Sequence, residues 1–165
     1  MLTTDCYLKL PYAANFLDDL KTLSKTINDD NWVKYYNFDT LPINAQHIIK
    51  SDTFLQDLYN KYPFICAILK LKKNTYYDWH KDEKRGVCIN MLINDTHSHC
   101  MFRETNNITG NFIELKYDVG VYYLFNNQVE HSVINLDEDR YLFSLEFEQD
   151  KNSLTFNDVL RYYNK

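Results

Sequence analysis

VYYLFNNQVEHSVINLDEDRYLFSLEF, residues 121–147, is the stretch on which the reading of the fold turns. Apolar and polar residues alternate through much of it, and polar clusters divide it into three runs. Alternation places successive side chains on opposite faces, the mark of half-buried β-strands rather than helices. Extended back to residue 64, the pattern predicts eight strands, at 64–72, 75–80, 86–94, 98–103, 112–117, 121–125, 129–135 and 140–148. Turn signals separate them at about 8 to 12 residues, the spacing of sandwiches and barrels, and Gly86, Gly110 and Gly120 fall between strands or at their edges.

The first 60 residues have a different period. Phe16, Leu17, Leu20 and Leu23 recur at helical spacing, as do Ile48, Ile49, Phe54, Leu55, Leu58 and Tyr59, and a last amphipathic piece begins at Leu154. We therefore expect one domain over 1–165: helical support over 1–62, a mainly β core of jelly-roll type over 63–148 and a C-terminal helix over 149–165.

At 165 residues the chain can bury one core. Its composition, 45% apolar, 25% charged and 16% aromatic, suits a folded aromatic-rich β protein. A net charge of −5 and a pI near 5.5 disfavour nucleic acid as partner. Four cysteines without a CxxC pair, and no secretory signal pattern, predict a reducing cytoplasmic setting. Apolar runs such as 64–69 fall far short of the roughly 20 residues that span a bilayer, so no membrane association is expected.

The chemistry concentrates at YYDWHKDEKRG, residues 76–86. Side chains two apart on a strand share a face, so His80 and Asp82 can converge on the interior. His131, on another predicted strand 51 residues downstream, is the best third ligand. Two histidines and a carboxylate make the facial triad of non-haem Fe(II) oxygenases, and zinc also uses such sets, so the triad alone does not name the metal. Arg140, nine residues beyond His131, bears on the choice. A guanidinium inside a β-sandwich needs an anion, and its planar fork fits a carboxylate. If it points inward, a dicarboxylic cosubstrate is implied, with Ser144 on the same face as a further donor.

The run YDWHKD followed by VEHSVINLDEDRYLFSLEF resembles the 2-oxoglutarate and Fe(II) dependent dioxygenases, with their HxD…H…R pattern. Tyr77-x-x-His80-x-Asp82 and His131-x8-Arg140-Tyr141-x-x-Ser144 resemble prolyl hydroxylases more narrowly, and GVYYLFNNQVEHSVIN is similar to aspartyl/asparaginyl hydroxylases and to small phage-borne relatives. The resemblance covers roughly residues 64–148. It implies a double-stranded β-helix of the cupin-like type, with His80, Asp82 and His131 as iron ligands. Arg140 and Ser144 would hold the distal carboxylate of 2-oxoglutarate, and Tyr77 would sit beside the site. No catalytic residue beyond the ligands is implied. Where prolyl hydroxylases place a cosubstrate-contacting tyrosine this chain has Leu92, and Asn90 is the candidate substitute.

The implied activity is hydroxylation of a C–H bond with consumption of O2 and release of succinate and CO2, on an amino-acid side chain of a peptide or protein, or on a small molecule. A phage-encoded protein would work in the host cytoplasm. The alternative is a cupin-like metal-binding recognition module without oxidative turnover.

Other features carry weaker expectations. His97, His99 and Cys100 read as a solvent-facing strand start rather than a second metal site, and His47 has no role. Asp78 shares parity with His80, either as an acceptor for its imidazole or as a solvated residue. Lys70, Lys72, Lys73, Lys81, Lys84 and Arg85 form a local positive excess, suited to steering an anion or to protecting a strand edge. Tyr76 and Trp79 are candidates for a substrate rim, and the loops at 95–98 and 104–110 for substrate choice.

Overall fold

Period-two patterning along residues 64–147 becomes eight strands that pair only antiparallel, preceded by a mixed segment and followed by one helix. The computed structural model describes residues 1–104 and 110–163. In chain order the mixed segment holds α1 (Thr3–Cys6), β1 (Tyr7–Ala13), α2 (Leu17–Thr26), β2 (Val33–Tyr35), β3 (Phe38–Ile43), α3 (Ala45–Ser51) and α4 (Thr53–Lys61). There follow β4 (Phe64–Leu71), β5 (Thr75–His80), β6 (Val87–Leu92), β7 (Ser98–Arg103), β8 (Phe112–Leu115), β9 (Val121–Asn126), β10 (Glu130–Asn135), β11 (Arg140–Phe147) and α5 (Phe156–Tyr163).

Two sheets result, ordered β1-β9-β6-β11-β4-β3-β2 and β5-β10-β7-β8. From β4 onward each strand lies in the sheet opposite its predecessor, apart from the β7–β8 hairpin. That winding is a double-stranded β-helix, the jelly-roll arrangement expected from the strand pattern.

The centre of the larger sheet is buried on both faces, as the wholly buried β6 shows. One face carries Ile68, Ile89, Met91, Phe143 and Leu145, which pack with Phe16, Leu20, Ile48, Ile49, Leu55 and Leu58 from the helical side. Each such side chain contributes about 1.5–3 kcal/mol of burial free energy. On the other face Cys88, Tyr123 and Phe125 meet Cys100, Phe102 and Leu115 of the smaller sheet. β11 runs along this divide without a register shift, so Phe143 and Leu145 face the helices while Arg140, Leu142 and Ser144 face the space between the sheets.

Residues 1–62 are less helical than their pattern suggests. β1 pairs with β9, and the β2–β3 hairpin extends the larger sheet beyond β4. Pro11 and Pro42 interrupt these strands, which hides them from pattern reading. Proline is tolerated there because β1 is an edge strand and β2 pairs only with residues 38–40 of β3, short of Pro42. The apolar pattern over 44–62 is broken at Asp52, which caps α4 by accepting from the Leu55 backbone N–H at 3.0 Å. Asp52 is buried and also accepts from the Tyr122 hydroxyl at 2.8 Å, tying the helices to β9. Among the described residues, no helix is long and apolar enough to cross a membrane.

Candidate metal centre and diacid cavity

β5 and β10 pair antiparallel with His131 opposite His80 and Val133 opposite Tyr77. Three steps along β5 thus match two along β10, so β5 carries a bulge at Asp78 and Trp79. The bulge resets the alternation, and Tyr77 and His80 both face the cavity. Asp78 does not share the inner face with His80, as strict parity would require. Its exposed carboxylate accepts from the Tyr76 hydroxyl at 2.9 Å and the Trp79 N–H at 2.7 Å. Its backbone carbonyl, not its side chain, accepts from His80 Nδ1 at 2.6 Å.

His131 is oriented in the same manner, with Nδ1 donating to the Val129 carbonyl at 2.9 Å. In the neutral rings both Nε2 atoms then carry the lone pair a metal would take, and the two rings lie 4.3 Å apart, centroid to centroid. Asp82 completes the cluster from the turn after β5 rather than from the strand. Its N–H donates to the Asn127 carbonyl at 3.1 Å, and Gln128 Nε2 donates to the carbonyls of Asp82 and Arg85 at 2.9 and 2.7 Å. Asp82 Oδ2 is taken by Asn127 Nδ2 at 2.8 Å and Arg85 Nη2 at 2.6 Å. Oδ1 is left facing the imidazoles, 3.5 Å from His80 Nε2 and 3.8 Å from His131 Nε2. Ligand atoms of the three residues lie within 4.8 Å of one another, and among the described residues no other His/Cys/Asp/Glu group meets that condition.

At Asp82 and His131 the electrostatics suit a cation. Burial alone would raise the Asp82 carboxyl, but the His80 hydrogen bond and the nearby Arg85 charge hold it below the usual range. Burial, helped by the neighbouring His80, pushes His131 down to about 4, so its imidazole stays neutral and able to ligate. For His80, burial works against protonation, yet its bonds to Asp82 and the Asp78 carbonyl leave it raised.

Behind the cluster lies a cavity whose wall includes Tyr77, Asn90, Leu142, Ser144 and Arg140. Arg140 is 5% exposed, its Nε has no hydrogen-bond partner, and among the described residues no carboxylate pairs with it. Its guanidinium sits 5.5 Å from the centre of the Tyr117 ring. Asn90 and Ser144, register partners on β6 and β11, present two further buried polar groups. Leu92 faces a separate pocket on the other side of Arg140. An unpaired buried cation, a hydroxyl and an amide at one end, and two free imidazole nitrogens with a carboxylate oxygen at the other, are the groups a metal-chelating diacid requires.

Arg85, Asn127, Gln128 and Tyr117 were not singled out for the site by sequence. Arg85 belongs to the expected positive excess but is paired with Asp82. Lys70 lies near Asp139 and Asp29, and Lys72 near Asp39, at 3.5–3.9 Å. The polar run at 126–128 was a readable hint of a turn that could brace the ligands. Tyr76 and Trp79 point away from the cavity: Trp79 packs on Phe112 and lies under the Arg103 guanidinium at 4.4 Å. The aromatic border is instead the β2–β3 hairpin. Phe38 lines the cavity against Tyr77, and Tyr35 and Tyr36 are exposed at the tip, Tyr36 with φ +53°.

The 95–98 turn lies at the end of the smaller sheet away from the metal cluster, because Ser98 pairs with Asn135 while His131 pairs with Phe102. Residues 105–109 of the other expected loop lie outside the described residues. His99 Nδ1 is 2.7 Å from Glu114, Cys100 is buried and His47 is exposed.

No family model matches the chain, and no curated protein is similar to it in sequence. Solved structures are similar in fold. A Pseudomonas putida prolyl-4-hydroxylase superposes with a TM-score of 0.65 at 12% identity, over 87% of this chain and 91% of that one. A prolyl hydroxylase from Trichoplax adhaerens, in complex with a hypoxia inducible factor oxygen degradation domain peptide fragment, gives 0.64 at 13%, over 86% and 82%. A viral collagen prolyl hydroxylase from Paramecium Bursaria Chlorella virus-1, as a 2-oxoglutarate complex, gives 0.59 at 12%, over 88% and 98%. The chain therefore has the double-stranded β-helix fold of the 2-oxoglutarate and Fe(II) dependent oxygenases, prolyl hydroxylases among them.

Proposed function

We propose that the protein is an Fe(II) and 2-oxoglutarate dependent dioxygenase that hydroxylates an amino-acid side chain of a peptide or protein in a reducing, cytoplasmic setting. One observation carries the reading: a His-Asp-His cluster and an unpaired buried arginine share one cavity between the two sheets. Arg140 gives iron precedence over zinc, since a fixed guanidinium at the floor calls for a diacid that also reaches the metal. All four cysteines are free and buried, which suits a reducing compartment.

His80, His131 and Asp82 would hold the metal, with ring orientation set by two backbone carbonyls and the carboxylate by Asn127 and Arg85. Arg140 and Ser144 would hold the far carboxylate of 2-oxoglutarate, with Asn90 and Tyr77 flanking it. Iron with this cosubstrate supplies the coupling of O2 reduction to decarboxylation, which lets an unactivated C–H bond be hydroxylated. The protein's own work is to position both reactants and to line their path with Leu69, Phe38 and Phe125, which exclude water. A peptide substrate is supported by the aromatic tip of the β2–β3 hairpin beside the cavity. A left-handed φ is costly for tyrosine, and such strain is typical of ligand-contacting segments. The peptide-bound Trichoplax prolyl hydroxylase has the same fold.

The test is anaerobic addition of Fe(II) and 2-oxoglutarate, followed by admission of O2 in the presence of peptide mixtures. A visible metal-to-ligand charge-transfer band, succinate release and a peptide that gains one oxygen are the expected results. Metal binding without the band or succinate would replace the oxygenase reading with the recognition module.

A further inference from the structure

The floor of the metal cavity is a thin partition rather than packed core. Beyond Arg140 lies a second, roomier pocket, bounded by Leu92, the 95–98 turn, Glu114 and Lys116. Among the described residues, only Cys100, Tyr117 and Arg140 line both spaces. Cys100 belongs to the β7 wall, so the partition consists of the Arg140 guanidinium and the Tyr117 ring it sits against.

Tyr117 is well fixed for this role. Its ring packs edge-on to Tyr123 at 4.9 Å. The turn after it is pinned to β6 by the Gly120 N–H, which donates to the Leu92 carbonyl at 2.9 Å. Gly120 adopts φ +79°, and a Cβ there would lie 2.8 Å from Leu17, so that turn is specific to glycine. Tyr117 is half-buried, and burial pushes its phenol well above the usual range. Asn90, which shares the wall of the metal cavity with Tyr117, pairs in register with Ser144.

We propose that Tyr117 is the specificity-determining residue for cosubstrate length: its ring backs Arg140 and closes the cavity behind a five-carbon 2-oxo diacid. The inference rests on the diacid reading above and adds to it the residue that rejects a longer homologue. One extra methylene against a rigid wall is worth about tenfold or more in discrimination. Without the ring, the longer chain can extend toward the second pocket.

Dissociation constants for 2-oxoglutarate and its six-carbon homologue 2-oxoadipate, measured anaerobically on the Fe(II)-loaded protein, test this. The wild type should prefer 2-oxoglutarate by about tenfold or more. Tyr117→Leu should reduce the preference to within a few fold, whereas Tyr117→Phe, which keeps the ring, should retain it. Adding Thr96→Trp to Tyr117→Leu refills the second pocket and should restore discrimination. Should Tyr117→Leu not fold, Tyr117→Met, unbranched and able to bend aside, carries the same expectation. A folded Tyr117→Leu or Tyr117→Met with the wild-type ratio overturns the proposal and leaves the diacid reading standing. A wild type that binds neither diacid overturns both.

Discussion

The two ends of the cavity are built on opposite principles. At the metal end each ligand is held by at least one further bond: His80 and His131 by backbone carbonyls, Asp82 by Asn127, Arg85 and the Gln128-braced turn. At the diacid end a single guanidinium rests against an aromatic ring, with Nε unpartnered and no carboxylate paired to it among the described residues. The first arrangement is preorganised by bonds that exist without any ligand. The second leaves a buried cation uncompensated until an anion arrives, so its cost is offset only by binding.

That contrast is easiest to break at the ligands. His80→Ala or Asp82→Ala should abolish stoichiometric Fe(II) binding, read as metal content after anaerobic loading and desalting. Full retention of iron would show that the cluster is only a polar turn.

Next in size is Arg140→Met. Loss of two charge-assisted hydrogen bonds, at about 1.5–3 kcal/mol each, should weaken 2-oxoglutarate binding by about a hundredfold or more. Because no carboxylate among the described residues pairs with the guanidinium, the Tm of the ligand-free protein should hold or rise. A collapse in Tm with diacid affinity intact would make Arg140 a structural residue and erase the difference between the ends.

Asn127→Ala sharpens the account of the metal end. It removes one of the two donors on Asp82 Oδ2, and metal affinity should fall by about 10–100-fold while the fold is retained. An unchanged affinity would mean that Arg85 alone suffices to orient the carboxylate.

The smallest effect lies outside the cavity. The Thr155 hydroxyl and N–H, with Arg161, hold the half-exposed Asp158 carboxyl at about 2, below its unfolded value of about 4. A depressed carboxyl stabilises fully above the unfolded value, and that contribution is lost as pH falls through about 2. The Tm gap between wild type and Asp158→Ala should therefore be small at pH 6 and narrow steadily as the solution is acidified, with iron binding at pH 6 unaltered. A gap that widened with acid would reverse the sign.

Legibility followed the regularity of the backbone. β11 pairs with β4 and β6 without a register shift, so simple alternation places Arg140, Leu142 and Ser144 on one face, as the structure does. In β5 the same rule fails, since the bulge at Asp78 and Trp79 turns Asp78 outward and Tyr77 inward. His80 and Asp82 do meet, but through a bulge and a braced turn rather than through a shared strand face. Tyr117 gave no signal, because its aim depends on a turn fixed from β6.

By itself, then, the order of residues determined the eight-strand core, the helices that flank it and the candidates for metal and diacid, because periodicity and residue chemistry are local properties. Only the tertiary structure decided which atoms converge. It brought Asn127 and Gln128 to the Asp82 turn, placed the 95–98 turn at the end away from the metal and set Tyr117 behind Arg140. Those outcomes depend on strand register and on one extra residue in β5, which are settled by packing between sheets and leave no periodic trace in the chain.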